Sequence, residues 1–290
     1  MAIDFSVDIC GVRFKNPIVA ASGTYNHRES GLYYDPAALG CITTKSVSQE
    51  PWAGNGAPAI AETHSGMLNA IGLANRGVAH YIENDLLQLK SAGATVMASI
   101  AGRTAGEYAA VAERLAGTDV DLLELNISCP NVKQGGISFG TDPAAAEALV
   151  AGVRKACGVK PVIAKLTPNV ADITEIARAA VSGGADGLSL INTLRGMRID
   201  TRTKAPVLKA GSGGLSGPAI HPMAVYMVYQ VRRAVDVPVI GMGGVMTGED
   251  AYELMLAGAD AVAVGTAALI DPAAPVRILS ELEECLLRMR

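Results

Sequence analysis

The sequence predicts an α/β fold of the (β/α)8, or TIM-barrel, type, organised as a single domain over residues 1–290. Three observations predict it. Short apolar segments alternate with amphipathic helical segments until eight of the former have passed. The three longest interruptions, at 50–74, 131–141 and 195–217, each follow the C-terminal end of an apolar segment, the face on which such barrels build their sites. No GxGxxG follows the first segment, which disfavours a doubly wound open sheet.

Taken in order, residues 4–14 alternate apolar and polar around Cys10-Gly11 and predict a short hairpin ahead of the barrel. The barrel strands follow at 17–21, 41–44, 95–100, Leu122–Asn126, 161–165, 187–192, 238–241 and 261–265. Apolar residues at three-to-four spacing predict helices at 77–92, Ala105–Ala116, 143–157, 171–182, 218–235 and 248–257. Thr141-Asp142 and Thr247 stand where N-terminal caps belong. Gly93, Gly183-Gly184 and Gly258 close helices and turn the chain directly into the next strand.

Composition narrows the function. Half of the residues are hydrophobic and only 4% aromatic, as in an Ala/Gly/Val-rich enzyme core. A net charge of −4 argues against nucleic acid or an anionic membrane as partner. Cys10, Cys41, Cys129, Cys157 and Cys285 are scattered with no CxxC pair, so neither zinc nor an iron–sulfur cluster is signalled, and the four isolated histidines signal no metal either. Scattered thiols, an N-terminus without a basic run, and no apolar stretch of membrane-spanning length predict a cytoplasmic protein.

In a barrel, polar residues at strand C-termini converge on one pocket. Here they are Ser22-Gly23, Thr44-Lys45-Ser46, Ser99, Asn126 with Cys129 and Asn131, Lys165, Asn192-Thr193, Gly243-Gly244 and Gly265-Thr266. The set holds no paired carboxylates, which excludes glycosidase-type chemistry. Glycines after strands seven and eight are where barrels commonly bind phosphate through backbone N–H groups, and Gly211–Gly217 can close the same site. Lys45 and Lys165 end otherwise apolar strands. Two inward lysines beside a phosphate site suggest flavin mononucleotide, with one lysine facing the N1–C2=O edge where negative charge collects on reduction. A cysteine between two asparagines in the turn after strand four is a poor core element and a good place to handle a planar substrate. A flavin-free phosphate-binding barrel is the reading from another class, but it wants a carboxylate or histidine base that the strand ends do not supply.

Nine segments carry a resemblance: NPIVAASGT (16–24), TTKSV (43–47), NAIGLAN (69–75), LNISCPNVKQGG (125–136), AKLTPN (164–169), INT (191–193), GGLSGP (213–218), IGMGGV (240–245) and AVGTA (263–267). Together, and in this order, they resemble the catalytic subunit of class 1 dihydroorotate dehydrogenases, within which VKQGG after SCPN resembles the B type. The resemblance implies one FMN per chain across the barrel mouth. Gly243, Gly244, Gly265 and Thr266 would hold its phosphate with Gly217 nearby, and Ser22, Lys45, Ser46, Asn126, Lys165 and Ile191 would contact ring and ribityl chain. Ser99 stands where the family usually has Asn, keeping a hydrogen bond with a shorter reach. Dihydroorotate would be gripped by Lys45, by the loop Asn69, Ala70, Ile71, Gly72 and Leu73, and by Asn126, Asn192 and Thr193. Cys129 would be the base, and residues 131–139 a lid. The B type hands electrons to a partner subunit carrying FAD and a [2Fe–2S] cluster, as a heterotetramer of two of each chain, and then to NAD+. A fumarate-linked A-type enzyme, or another FMN-dependent dihydropyrimidine oxidoreductase, is the alternative.

Overall fold

The computed structural model describes residues 4–128 and 139–288. The expected base Cys129, together with Asn131 and nearly all of the expected lid, lies outside the described residues.

Eight parallel strands close into a barrel in sequential order. They are β1 (Ile18–Ala20), β2 (Cys41–Thr43), β3 (Val96–Ile100), β4 (Leu122–Asn126), β5 (Val162–Lys165), β6 (Gly187–Leu190), β7 (Val239–Met242) and β8 (Ala261–Val264). Each is apolar nearly throughout because both its faces are covered. The two-residue alternation of a strand sorts the side chains. Val19, Cys41, Met97, Leu122, Ile163, Ile240 and Ala261 point inward and pack on one another. Ile18, Ile42, Val96, Leu123, Leu125, Val162 and Leu188 point outward into the helical ring. Each such fully buried aliphatic side chain contributes about 1.5–3 kcal/mol.

The hairpin Val7–Ile9/Val12–Phe14 forms as expected. Cys10 and Gly11 turn it with φ of 55° and 81°, the left-handed pair that a two-residue hairpin needs. Ile9 and Phe14 are fully buried in the interior cluster, so the hairpin stops one end of the barrel. Three aspartates brace that end in the same way. Asp121, Asp186 and Asp260 accept the first strand N–H of β3, β5 and β7 respectively, and each pairs with a cation from the helix that precedes that strand: Lys90, Arg154 and Arg232.

The expected helices form, and Asp142 and Thr247 cap two of them as the sequence predicts. Thr104, Asp142 and Asp172 each accept a backbone N–H at a helix start, and Thr247 with Asp250 makes a complete capping box. Departures are local. The expected helix at 77–92 carries a π-helical segment at Tyr81–Leu86, and that at 218–235 opens with a 3-10 turn before His221–Arg232. The helix Ala274–Arg288 was not expected. It packs its buried Ile278 and Leu282 against the helix Gly248–Leu256, where Gly248 leaves room for the backbone at Glu281 and Leu282.

The two insertions at 50–74 and 195–217 are not loops alone. Ile60–Thr63, Gly66–Asn69, Leu194–Gly196 and Gly213–Ser216 build a four-stranded antiparallel sheet. It stands at the C-terminal end of the barrel, because both insertions leave from C-terminal strand ends. The strands are only three or four residues long and rich in Gly, so they carry no alternation that sequence reading detects.

Candidate active site

The barrel mouth collects polar side chains because alternation continues past the apolar layer. Above Met97 on β3 comes Ser99, above Leu122 come Glu124 and Asn126, above Ile163 comes Lys165, and on β6 Ser189 faces inward. Strand pairing sets Glu124 opposite Ser99, and Lys165 opposite both Asn126 and Ser189.

These groups form a connected chain. The Ser46 and Ser99 hydroxyls share a hydrogen bond of 2.8 Å. Asn126 Nδ2 donates to Ser46 Oγ at 3.2 Å, and Asn192 Nδ2 reaches Asn126 Oδ1 at 3.5 Å. The Thr193 N–H donates to Asn192 Oδ1 at 2.8 Å. The Tyr108 hydroxyl, from the helix Ala105–Ala116, donates to the Asn126 carbonyl at 2.7 Å and pins the strand end from outside. Ser99 is fully buried, so it supports the mouth through Ser46 rather than lining it.

The two lysines meet here as expected. Lys165 Nζ donates to Ser22 Oγ at 3.1 Å. Lys45 flanks the β1 turn, with its side chain 3.3 Å from where a Cβ on Gly23 would sit. Burial first, and the charge of Lys165 second, hold Lys45 below the usual lysine range. Among the described residues Lys45 has no ion-pair partner, so an arriving anion would relieve it. A cleft of about 650 Å³ opens beside the mouth, sharing Gly23, Thr44 and Lys45 with it and walled by Tyr25, Arg76 and Tyr81.

The glycines converge on the far side. A Cβ on Gly244 would stand 2.7 Å from the His221 Cβ and 2.8 Å from the Gly217 carbonyl. One on Gly217 would stand 3.4 Å from Thr266, and one on Gly243 would stand 3.4 Å from Ile191. Gly217, Gly243 and Gly244 have φ of 97°, 136° and 70°, which side-chain-bearing residues rarely adopt. Thr266 donates to Ser216 Oγ at 2.9 Å. Gly265, after β8, faces Ala21 at the end of β1. The fold thus brings Gly217, Gly243, Gly244, Ile191 and Thr266 into one backbone-lined cradle.

The segment Asn69–Leu73 descends from the added sheet. Asn69 Nδ2 reaches the Gly214 carbonyl at 3.5 Å, and Thr193 packs where a Cβ on Gly214 would be. Asn55 ties the segment down by donating to the Ala70 and Ile71 carbonyls. Gly72 and Leu73 both have positive φ, 72° and 56°. The sheet therefore carries Asn69 to the neighbourhood of Thr193.

Sequence reading missed three contributors. Glu124 is fully buried inside the barrel, accepts from Ser189 Oγ at 3.0 Å, and faces Lys165 Nζ at 3.8 Å. A glutamate within the run LLELN is a visible signal, passed over because its neighbours are apolar. His221, read as isolated, holds the Gly243 carbonyl through Nδ1 at 2.8 Å. Asn169 donates to the Thr193 carbonyl at 3.0 Å and accepts from the Arg195 N–H at 2.8 Å, fixing the β6 exit.

Among known proteins, the family model described as dihydroorotate dehydrogenase matches residues 4–286. Proteins named dihydroorotate dehydrogenase B (NAD(+)), catalytic subunit, are similar along nearly the whole chain. That of Alkaliphilus metalliredigens is 54% identical over 97% of this chain and 93% of its own. That of Geobacter sulfurreducens is 52% identical over 98% and 93%, and that of Halalkalibacterium halodurans 52% over 96% and 91%.

Proposed function

The chain belongs to the dihydroorotate dehydrogenase family, and on that premise we propose that it oxidises (S)-dihydroorotate to orotate in pyrimidine biosynthesis, using one FMN per chain. The observation that supports this most is the pairing, at one barrel mouth, of a glycine cradle with two lysines. The residues fit the cofactor. A Cβ at Gly217, Gly243 or Gly244 would meet neighbouring protein atoms at 2.7 Å, so the close backbone approach that suits a phosphate held by N–H groups needs glycine at all three. Thr266 adds a hydroxyl and Gly265 a close approach. Ser22, Lys45, Ser46, Asn126, Lys165 and Ile191 would bind ring and ribityl chain, with Ser99 positioning Ser46. FMN, when bound, supplies the acceptor for the hydride that leaves C6 of the substrate.

The chain's own residues do the rest. Lys45 balances the substrate carboxylate, and its depressed proton affinity reflects a site that wants an anion. The amides of Asn69, Asn126 and Asn192 offer donors and acceptors to the pyrimidine dione, and Thr193 adds a hydroxyl. Ala70, Ile71, Gly72 and Leu73 complete the wall. Cys129 takes the C5 proton as a thiolate while the C5–C6 double bond forms. Electrons then leave through a separate subunit, to which we assign FAD and a [2Fe–2S] cluster, in a heterotetramer of two of each chain that reduces NAD+. Relatives named as catalytic subunits of NAD(+)-linked enzymes support that route over a fumarate-linked one.

The test is spectroscopic. The purified chain should carry yellow absorbance, and orotate should perturb it. A chain that stays colourless after FMN addition would refute the reading. NAD+ reduction only in the presence of a co-purifying subunit, with none by fumarate, is the outcome expected for the electron route.

A further inference from the structure

Among the described residues Glu124 is the one fully buried carboxylate, and the oxidation leaves it without a task. It is fully buried, and so is Lys165 very nearly, at 5% exposure. Ser189 Oγ occupies its Oε2. Its Oε1 has no hydrogen-bond donor among the described residues and stands 3.8 Å from Lys165 Nζ. That separation is too long for a hydrogen bond and short enough for a strong Coulomb interaction in a dry interior. A carboxylate in this place is costly, and barrel closure does not need it, since Leu122 and Ile163 fill the layer beneath. By register, Glu124 lies opposite Ile163, two residues before Lys165 on β5, so it sits deeper than the ammonium it faces. Lys165 therefore stands between two partners, Ser22 at the mouth and Glu124 below. The amino group is held from above by a neutral hydroxyl and balanced from beneath by a charge.

We propose that Glu124 is a positioning residue that tempers the positive charge Lys165 presents at the barrel mouth, and thereby sets the reduction potential of the ring bound there. The inference rests on the flavin reading above. The charge of Lys165 is already felt at the mouth, where it acts on Lys45. Reduction places negative charge on the ring, which Lys165 stabilises and Glu124 opposes. With Glu124 intact, the reduced ring is held loosely enough to give its electrons up.

The experiment measures the midpoint potential of bound FMN, by dye equilibration, in the wild-type chain and in Glu124→Gln and Glu124→Asp. The amide keeps shape and hydrogen bonding to Ser189 but removes the charge. It should favour reduced flavin by at least tenfold, about 30 mV for a two-electron couple. Glu124→Asp keeps the charge and should stay within threefold of wild type, which a packing role would not predict. Should Glu124→Gln fail to fold, Ser189→Ala reads the same coupling. It frees the carboxylate to close on Lys165, and the potential should fall. A potential unmoved by Glu124→Gln, or in that event by Ser189→Ala, overturns the inference while the yellow wild type leaves the flavin reading intact. A colourless wild type overturns both.

Discussion

Asn126 and Ser46 are 80 positions apart in the chain, and a 3.2 Å hydrogen bond joins them at the barrel mouth. Asn126 ends β4, and Ser46 follows β2. Between these strands β3 supplies Ser99, whose hydroxyl meets Ser46 from behind. The bond therefore spans three neighbouring strands and fixes an amide where the proposed substrate and cofactor meet. Removing that amide should cost about 2–3 kcal/mol of transition-state stabilisation, the usual worth of a buried hydrogen-bonding group left unmatched. Asn126→Ala should accordingly lower kcat/KM about a hundredfold. Ser99→Ala should lower it far less and act mainly on stability, as steady-state kinetics and urea melts on the two variants will show.

Lys45 carries a penalty that function explains. Burial and Lys165 depress its proton affinity in the folded chain relative to its ordinary value of 10.5. Between the folded and ordinary values the unfolded chain binds the extra proton, so this group's contribution to stability rises with pH through that window. Below the folded value the full cost of the buried ammonium is present, and above 10.5 it is gone. Lys45→Met should therefore raise the urea midpoint of the ligand-free chain at neutral pH and flatten its alkaline dependence. The same variant should lose orotate binding by at least about a hundredfold, as expected when a charged partner is removed. A lower midpoint would contradict this account of Lys45.

The glycine cradle has a sharp steric requirement. At Gly244, φ is 70° and an added Cβ meets His221 and the Gly217 carbonyl below 3.0 Å. Gly244→Ala should destabilise the chain by about 1–3 kcal/mol through overpacking and left-handed strain. It should also weaken FMN retention on gel filtration, whereas Gly117→Ala, in open space at a helix end, should do neither.

Thiol reactivity should separate the proposed base from three of the other four cysteines. Burial, with Asp186, Asp8 and Asp260 adding to it, pushes Cys10 up to about 12. At pH 8 that leaves about a thousandfold less thiolate than the ordinary value of 9.0 would. Cys41 is fully buried and raised well above its ordinary value, and Cys157 is raised by burial. Iodoacetamide followed by peptide mapping should label Cys129 well ahead of these three. Activity should rise toward alkaline pH as the base loses its proton, and Cys129→Ser should slow flavin reduction by about 10²–10⁴-fold.

The barrel was legible because its physics is periodic. Alternating inward and outward residues, helix caps at Asp142 and Thr247, and glycine turns before strands all leave marks in one dimension. The cradle was legible from glycines at two neighbouring strand ends. The added sheet was not, because three-residue strands such as Leu194–Gly196 offer too few positions to show a period. Nor was the Glu124–Lys165 pair. A buried charge is paired in space, and these partners sit on separate strands whose register the sequence does not print. His221 escaped for the same reason, since its partner is a carbonyl on another strand end.

The central claim is that dihydroorotate gives its electrons to a flavin held in this barrel. Anaerobic mixing of the purified, FMN-loaded chain with dihydroorotate, followed by absorbance in a stopped-flow cell, tests it most directly. The account predicts that the yellow flavin band bleaches within the turnover time of the enzyme and that orotate forms in equal amount. A flavin that stays oxidised in the presence of excess dihydroorotate would contradict it.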